Sequence, residues 1–336
     1  VDRPRALTAA SERAVIGAVR AFSAAHLTPG PVCVALSGGA DSLALTAGAV
    51  RAGLDVHAIV VDHGLQDASA DVAASAASVA RALGATAEVR RVIVDGAGGL
   101  EAAARDARYR ALDDARGDRP VLVGHTLDDQ AETVLLGLGR GSGGRSLAGM
   151  RPWSSPWGRP LLDVRRDQTR AACAGWGLPV WDDPHNDDPR FTRVRLRNEV
   201  LPLMEDVLSG GVAEALARTA TLLTADADAL DALARGHLAE VVDTGIVNTG
   251  DLAALPAALR TRVIRMWLRE NGIDAPHGRI VAAVDALVVD WRGQGPIAVG
   301  GDADTRLVVV RRADALRLER ARRRRTRPDV PRARPS

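Results

Sequence analysis

Val32-Cys-Val-Ala-Leu36 runs directly into Ser37-Gly-Gly-Ala-Asp-Ser42 and then into the apolar stretch Leu43-Ala-Leu-Thr-Ala47. A short continuous apolar run, a glycine-rich turn and an apolar helical segment read as a buried parallel strand feeding a helix. Such a turn aims backbone N–H groups and the positive end of a helix at one point, which makes it an anion site. Gly38 and Gly39 let the backbone approach phosphate closely, and the Ser37 and Ser42 hydroxyls, either side of Ala40, add donors. Asp41 would repel phosphate unless a cation intervened, so the string also predicts Mg2+ between Asp41 and the phosphates. The plainer reading, Ser and Asp serving only as helix caps, accounts for less of the string.

Working outward, strands are expected at Val32–Leu36, Val56–Asp62, Ala87–Val94 and Val121–His125. Helices are expected at Leu43–Ala52, Ala70–Leu83, Leu100–Arg116 and Gln130–Leu138, giving an α/β fold with a doubly wound, mainly parallel sheet. Ligands in such sheets bind beyond the strand C-termini, so functional residues should lie just after the strands. Past Arg140 the texture changes to Gly, Pro and Trp, notably at Gly141–Gly144 and Pro152–Pro160, which predicts a loop over the open end of the sheet. A smaller helix-rich domain follows, with a long helix over Val212–Leu238 and amphipathic helices over Pro256–Glu270 and His277–Trp291. Ile297–Val299, Arg306–Val310 and Ala315–Leu318 suggest a small sheet. The expected division is a catalytic domain over 1–205, a linking helical region over 206–243, a recognition domain over 244–319 and a disordered basic tail over 320–336. That tail holds eight Arg against one acid, Asp329. No internal repeat is detected.

Composition excludes some classes. No apolar run of eighteen residues suggests a membrane span, and no apolar stretch with a small-residue cleavage site follows Val1–Arg5, so a cytoplasmic protein is expected. Cys33 and Cys173 form neither a C-x-x-C pair nor a disulfide framework. The net charge of +2 does not by itself point to nucleic acid. All 44 basic residues are Arg, a pattern read as coding bias.

The Ser37–Ser42 string and its strand–turn–helix setting resemble the PP-loop family of ATP pyrophosphatases, which implies ATP cleavage to AMP and pyrophosphate. Gly139-Arg-Gly-Ser-Gly-Gly-Arg-Ser146 imitates P-loop spacing, but Arg145 replaces the lysine and a helix precedes it, so a substrate-covering loop fits better. Further strings are similar to those of tRNA(Ile)-lysidine synthases: Val61-Asp-His-Gly-Leu65, Ala104-Arg-Asp-Ala-Arg-Tyr109, His125-Thr-Leu-Asp-Asp-Gln-Ala-Glu-Thr133, Arg140-Gly-Ser-Gly143, and the block from Asn186 to Pro202. The resemblance implies that ATP activates C2 of the wobble cytidine of a CAU-anticodon tRNA(Ile), and that L-lysine then displaces AMP.

Within these strings, Asp128, Asp129 and Glu132 crowd a helix start where carboxylates can bind Mg2+ or an ammonium, Asp129 being preferred. The same spacing suits capping boxes from Thr126 or Asp129. His125 is a candidate for phosphate binding or proton transfer, with a structural histidine as the alternative. By resemblance Arg105 faces the reacting phosphate, against a solvated arginine face. Asp62, ending a strand, is a candidate adenosine contact. The expected catalytic set is Asp41, Arg105, His125 and Asp129. Arg190, Arg193 and Arg197 share helical spacing and are expected to track the tRNA backbone, the alternative being ion pairs with Asp187, Asp188 and Glu199. A PP-loop thiolase would need exposed sulfur-carrying cysteines and an amidotransferase an N-terminal glutaminase cysteine; a nucleotide sensor would need neither acids nor the arginine block.

Overall fold

The computed structural model describes residues 3–64, 68–94, 100–141, 143–183, 188–302 and 304–322. The chain divides into two compact units, Val1–Thr224 and Ala225–Ser336.

The first unit is built on strands β1 (Val32–Leu36), β2 (Val56–Asp62), β3 (Thr86–Arg91) and β4 (Val121–Val123), with short strands β5 (Trp153–Ser154) and β6 (Trp157–Gly158). Sheet order is β3-β2-β1-β4-β6-β5, parallel throughout except between β5 and β6. Strand β1 lies between β2 and β4, pairing Val34 with Ala58 on one side and with Leu122 on the other. Its uninterrupted apolar character follows, because alternate residues feed opposite faces of a sheet covered on both sides. Val32, Val34 and Leu36 join Val56, Ala58 and Val60 in one core, packed on α1 (Arg3–His26), α2 (Ala40–Arg51), α3 (Ser69–Ala82) and α7 (Arg166–Gly175). Cys33, Ile59 and Val121 face the other way onto Leu112 and Ala115 of α4 (Leu100–Arg116). The chain progresses outward from β1 on one side and from β4 on the other, so the crevice above their C-termini is the topological switch point.

Several expected boundaries shift for identifiable reasons. Strand β3 ends at Arg91, opposite Asp62, because it is an edge strand with only β2 to pair with. Strand β4 stops at Val123, where the His125 N–H turns back to its carbonyl. Pro152–Pro160, expected as a loop, contains the β5–β6 hairpin, which extends the sheet through β4. Helix α5 (Leu127–Arg140) starts three residues earlier than expected, at its Thr126 cap, and a short α6 (Gly144–Leu147) follows. Gly137 accommodates that return: a Cβ there would lie 2.0 Å from the Ser146 carbonyl oxygen. Helices α1 and α7 have no counterpart among the sequence expectations. The segment after α7 forms α8 (Thr192–Arg195), a π-helical turn (Leu196–Val200) and α9 (Leu201–Val207).

Helix α10 (Val212–Val241) contains the boundary between the units. Before it, Ser209, Gly210 and Gly211 all have positive φ, and Glu205 accepts from the Val212 and Ala213 N–H groups in place of a local cap. The second unit continues with β7 (Val242–Asp243), β8 (Ile246–Asn248), α11 (Thr249–Ala254), α12 (Ala257–Glu270), α13 (Gly278–Val289), β9 (Ile297–Gly301), β10 (Thr305–Arg312) and β11 (Ala315–Arg322). The antiparallel sheet runs β7-β8-β11-β10-β9 and packs on Trp267, Ile264, Leu268 and Leu287. The β7–β8 hairpin was not expected. The first residues of the presumed tail, Arg320–Arg322, belong to β11; the remaining tail, from 323, lies outside the described residues. No described helix is long and apolar enough to cross a membrane.

Candidate active site

The phosphate-type turn is built as the sequence requires. Gly38 has φ +86°, a conformation that any side chain would strain, and its carbonyl accepts from the Trp181 N–H at 3.1 Å. Gly39 caps α2 without a side-chain hydrogen bond, leaving the first-turn N–H groups of α2 unblocked by a cap. The Ser42 hydroxyl donates to the Gly39 carbonyl at 2.9 Å, accepts from the Ser37 N–H at 3.1 Å and lies 3.1 Å from the Ser37 hydroxyl. Strand β4 abuts this loop so tightly that a Cβ on Gly124 would lie 3.0 Å from the Asp41 carbonyl. Behind the loop, the buried Cys173 thiol donates to the Ala40 carbonyl at 3.3 Å, and burial pushes its pKa up to about 12.

A cavity of about 650 Å³ opens above the loop, lined by Ser37, Gly39, Ala40, Asp41, Ser42, Asp62, Arg108, His125, Asp129, Arg166 and Arg197 among others. Asp41 receives the Thr169 hydroxyl and lies 3.4 Å from Arg166 Nε. Desolvation by burial outweighs these partners and raises its carboxyl pKa. Asp129 divides its oxygens between two roles. Oδ2 accepts from the Thr126 N–H at 2.8 Å and its hydroxyl at 2.9 Å, so the capping-box alternative is realised. Oδ1 meets Arg166 Nη2 at 2.6 Å. Burial works against its charged form, yet Arg166, His125 and the Thr126 donors override it and hold the carboxyl below its ordinary range. Glu132, fully buried, binds Arg166 Nη1 at 3.3 Å and Arg197 Nε at 2.8 Å. Asp128 accepts from the Arg166 N–H at 2.7 Å and pairs with Arg165 at 3.3 Å.

Arg166 is thus the hub that the sequence did not reveal. It stands 125 residues from Asp41, in a helix whose pattern marks no site, and only folding juxtaposes it with the acids. Burial opposes its charge, but Asp129, Glu132 and Asp41 raise its pKa above the ordinary arginine range.

His125 sits at the end of β4 with its Nδ1 buried and without a hydrogen-bond partner among the described residues. Burial lowers its pKa to about 4 against the pull of Asp129, so it is neutral near pH 7. Arg105 does not line the cavity; its guanidinium lies 4.8 Å from the Tyr109 ring centroid. Arg108, one turn on, does line it, its own charge disfavoured by burial. Asp62 reaches the cavity wall, but Oδ1 accepts from the Gly64 N–H at 2.9 Å; despite burial, that bond and the Ser69 hydroxyl lower its pKa.

The three candidate RNA contacts do not form one helical face. Arg190 precedes α8 and pairs with Asp188 at 2.6 Å. Arg197 turns inward to Glu132, while Arg193 makes no ion pair among the described residues. Arg195, not one of the three, pairs with Glu199 at 2.8 Å, and Asp187 lies outside the described residues.

A parallel sheet whose first strand delivers an S-G-G-x-D-S turn to a cavity at its switch point defines a PP-loop nucleotide-binding domain. Consistent with this, a family model described as a PP-loop domain matches residues 15–204, and one described as a TilS substrate binding domain matches residues 248–325. The chain belongs to the tRNA(Ile)-lysidine synthase family. It is 58% identical over 303 residues to a protein of that name from Rhodococcus erythropolis, covering 90% of this chain and 93% of the relative. Against the namesake from Mycobacterium tuberculosis strain H37Rv, identity is 57% over 293 residues, covering 85% and 90%. Among solved structures, the U34-tRNA thiolase NcsA from Methanococcus maripaludis aligns with TM-score 0.54 at 18% identity, over 66% of this chain and 80% of that one, a likeness of fold.

Proposed function

We propose that the protein uses ATP to ligate L-lysine to C2 of the wobble cytidine of CAU-anticodon tRNA(Ile), through an adenylated cytidine, releasing pyrophosphate and then AMP. The observation that carries the reading is the convergence of Asp41, from the phosphate loop, and Asp129 and Glu132, from α5, on one cationic centre. The phosphate cradle and Asp129 then line one cavity, with the buried Glu132 paired to Arg166 and Arg197 of the same lining, an arrangement suited to nucleotidyl transfer followed by amine attack.

In this reading the Ser37–Ser42 turn holds the ATP phosphates and its N–H groups stabilise charge developing on them. Arg108 and neutral His125 face the reacting nucleotide. Asp129 and Glu132 receive the ammonium of lysine; the depressed pKa of Asp129 suits it to holding a cation rather than taking a proton. Asp41 would be the residue to hold Mg2+ beside the phosphates, leaving Asp129 to the ammonium. Among the described residues, no group of three or more His, Cys, Asp or Glu is arranged to hold a metal ion. Mg2+ would supply charge neutralisation on the pyrophosphate as it leaves. The 248–325 region would contribute tRNA binding.

The test is mass-spectrometric detection of lysidine in an unmodified CAU tRNA(Ile) transcript treated with protein, ATP and L-lysine. Pyrophosphate release without lysidine would instead favour another PP-loop modification. Sulfur transfer has little support from the thiols: Cys33 and Cys173 are both buried, and burial raises both pKa values.

A further inference from the structure

We propose that Arg166 is a resident stand-in for the substrate ammonium, a positioning residue that fills Asp129 and Glu132 in the empty site and is exchanged for L-lysine. This rests on the lysine-ligating function proposed above.

The case begins with lone pairs. Arg166 takes Asp129 Oδ1 at 2.6 Å and Glu132 Oε1 at 3.3 Å, and Arg197 takes the same Glu132 oxygen at 2.8 Å. With Asp129 Oδ2 filled by the two Thr126 donors and Glu132 Oε2 lying 3.4 Å from Arg197 Nη2, every oxygen of the pair already has a donor, so an incoming ammonium competes with a guanidinium for its place. Of the two, Arg166 is the one built to leave without disturbing its helix. Its backbone N–H is fixed by Asp128, and Thr169 and Cys173 of the same helix are anchored to Asp41 and Ala40. The first turn of α7 therefore stays in register while the side chain swings.

Charge favours a one-for-one exchange. Asp41, Asp129 and Glu132 supply three negative charges against two from Arg166 and Arg197. Loss of a cation with no replacement would leave buried carboxylates uncompensated, which is strongly destabilising. Replacement of one cation by another keeps the balance. Once displaced, the Arg166 head group lies beside the phosphate loop, where its Nε is already 3.4 Å from Asp41, and is available to an anion there. Chemistry explains why the stand-in is arginine. A permanently protonated guanidinium has no free pair with which to attack an adenylated carbon, whereas a lysine in its place would be a competing nucleophile.

The test uses the full-length protein, with L-lysine affinity measured by calorimetry and Tm measured with and without L-lysine. Arg166→Met should lower the Tm of the free protein, bind L-lysine about tenfold or more tightly than the parent, and show a larger lysine-induced rise in Tm. Arg166→Gln carries the same expectation if the Met variant does not fold. L-norleucine, which has the same four side-chain carbons without the ammonium, should gain nothing. Unchanged, weakened or absent L-lysine binding in the folded variant overturns the proposal, because a merely structural arginine predicts that loss. An equal gain for norleucine overturns it too, since the site would only have been loosened. Lysidine formation by the parent protein is scored separately, so failure of the exchange is distinguishable from failure of the function.

Discussion

Asp129 shows how one side chain can hold two posts and why a shape-preserving substitution exposes both. Asparagine can point its oxygen at the Thr126 donors, and then its NH2 faces Arg166; turned over, it places that NH2 against the Thr126 N–H. Asp129→Asn therefore cannot serve both posts at once: it weakens the hold on a cation through loss of charge, and gives up cap stability of about 1 kcal/mol to the extent that it turns over. The expected result is a raised KM for lysine together with a lower Tm; unchanged lysine and Mg2+ dependences would leave capping as its only role. Asp41→Ala removes the one carboxylate of the phosphate loop and should abolish pyrophosphate release in a folded protein, measured with matched circular dichroism. His125 gives a pH signature. Its folded pKa, about 4, lies below the ordinary 6.5, so on acidification the unfolded chain takes the proton first. The stability from keeping it neutral is complete above pH 6.5 and is lost as pH falls towards 4, about 2 kcal/mol of it by pH 5. Denaturation midpoints for His125→Asn should show that much less loss between pH 7 and pH 5.

At the scale of elements, the phosphate loop works because β4 is pressed against it. Gly124→Ala places a Cβ 3.0 Å from the Asp41 backbone, which must shift the loop or the strand. The expected outcome is a KM for ATP raised several-fold with a modest fall in Tm, on the order of 1–3 kcal/mol of overpacking; unaltered ATP kinetics would show that the strand gives way instead. This element-level packing also sets the limit of what could be read in advance. Strand β1 and its turn were legible because a two-faced buried strand needs an unbroken apolar run and a phosphate turn needs its glycines. Helix α7 was not, because Ala172 and Cys173 are too small and too few to mark an apolar stripe around its polar residues. The acids of α5 were legible as a cluster, but their partner arrives from a distant segment, and local spacing carries no information about such a meeting. Arg197 illustrates the same limit: helical spacing with Arg193 suggests an outward face, while Glu132 draws the guanidinium in.

For the whole molecule, the division of labour expected from sequence can be tested by a cut at the boundary between the two units. Val212, Ala213 and Ala217 of α10 pack with Leu127, Ala131 and Leu201, so ending the chain before α10 would strip part of the first core. A fragment ending at Thr224 should keep ATP affinity within several-fold of the full chain and lose most tRNA affinity, as read by equilibrium binding of each ligand. Undiminished tRNA affinity would remove the recognition role from the second unit. In the full chain, Arg193→Ala should reduce the slope of log affinity against log salt by about one unit or less. Finally, the two cysteines give the first unit a built-in clock. Cys33 lies inside β1 and Cys173 beneath the phosphate loop, both shielded from solvent. A disulfide reagent can react with either only when the surrounding structure opens, so the rate of colour release from Ellman's reagent measures opening of the nucleotide cradle from within, without any engineered probe. Nucleotide that grips the loop should slow that clock.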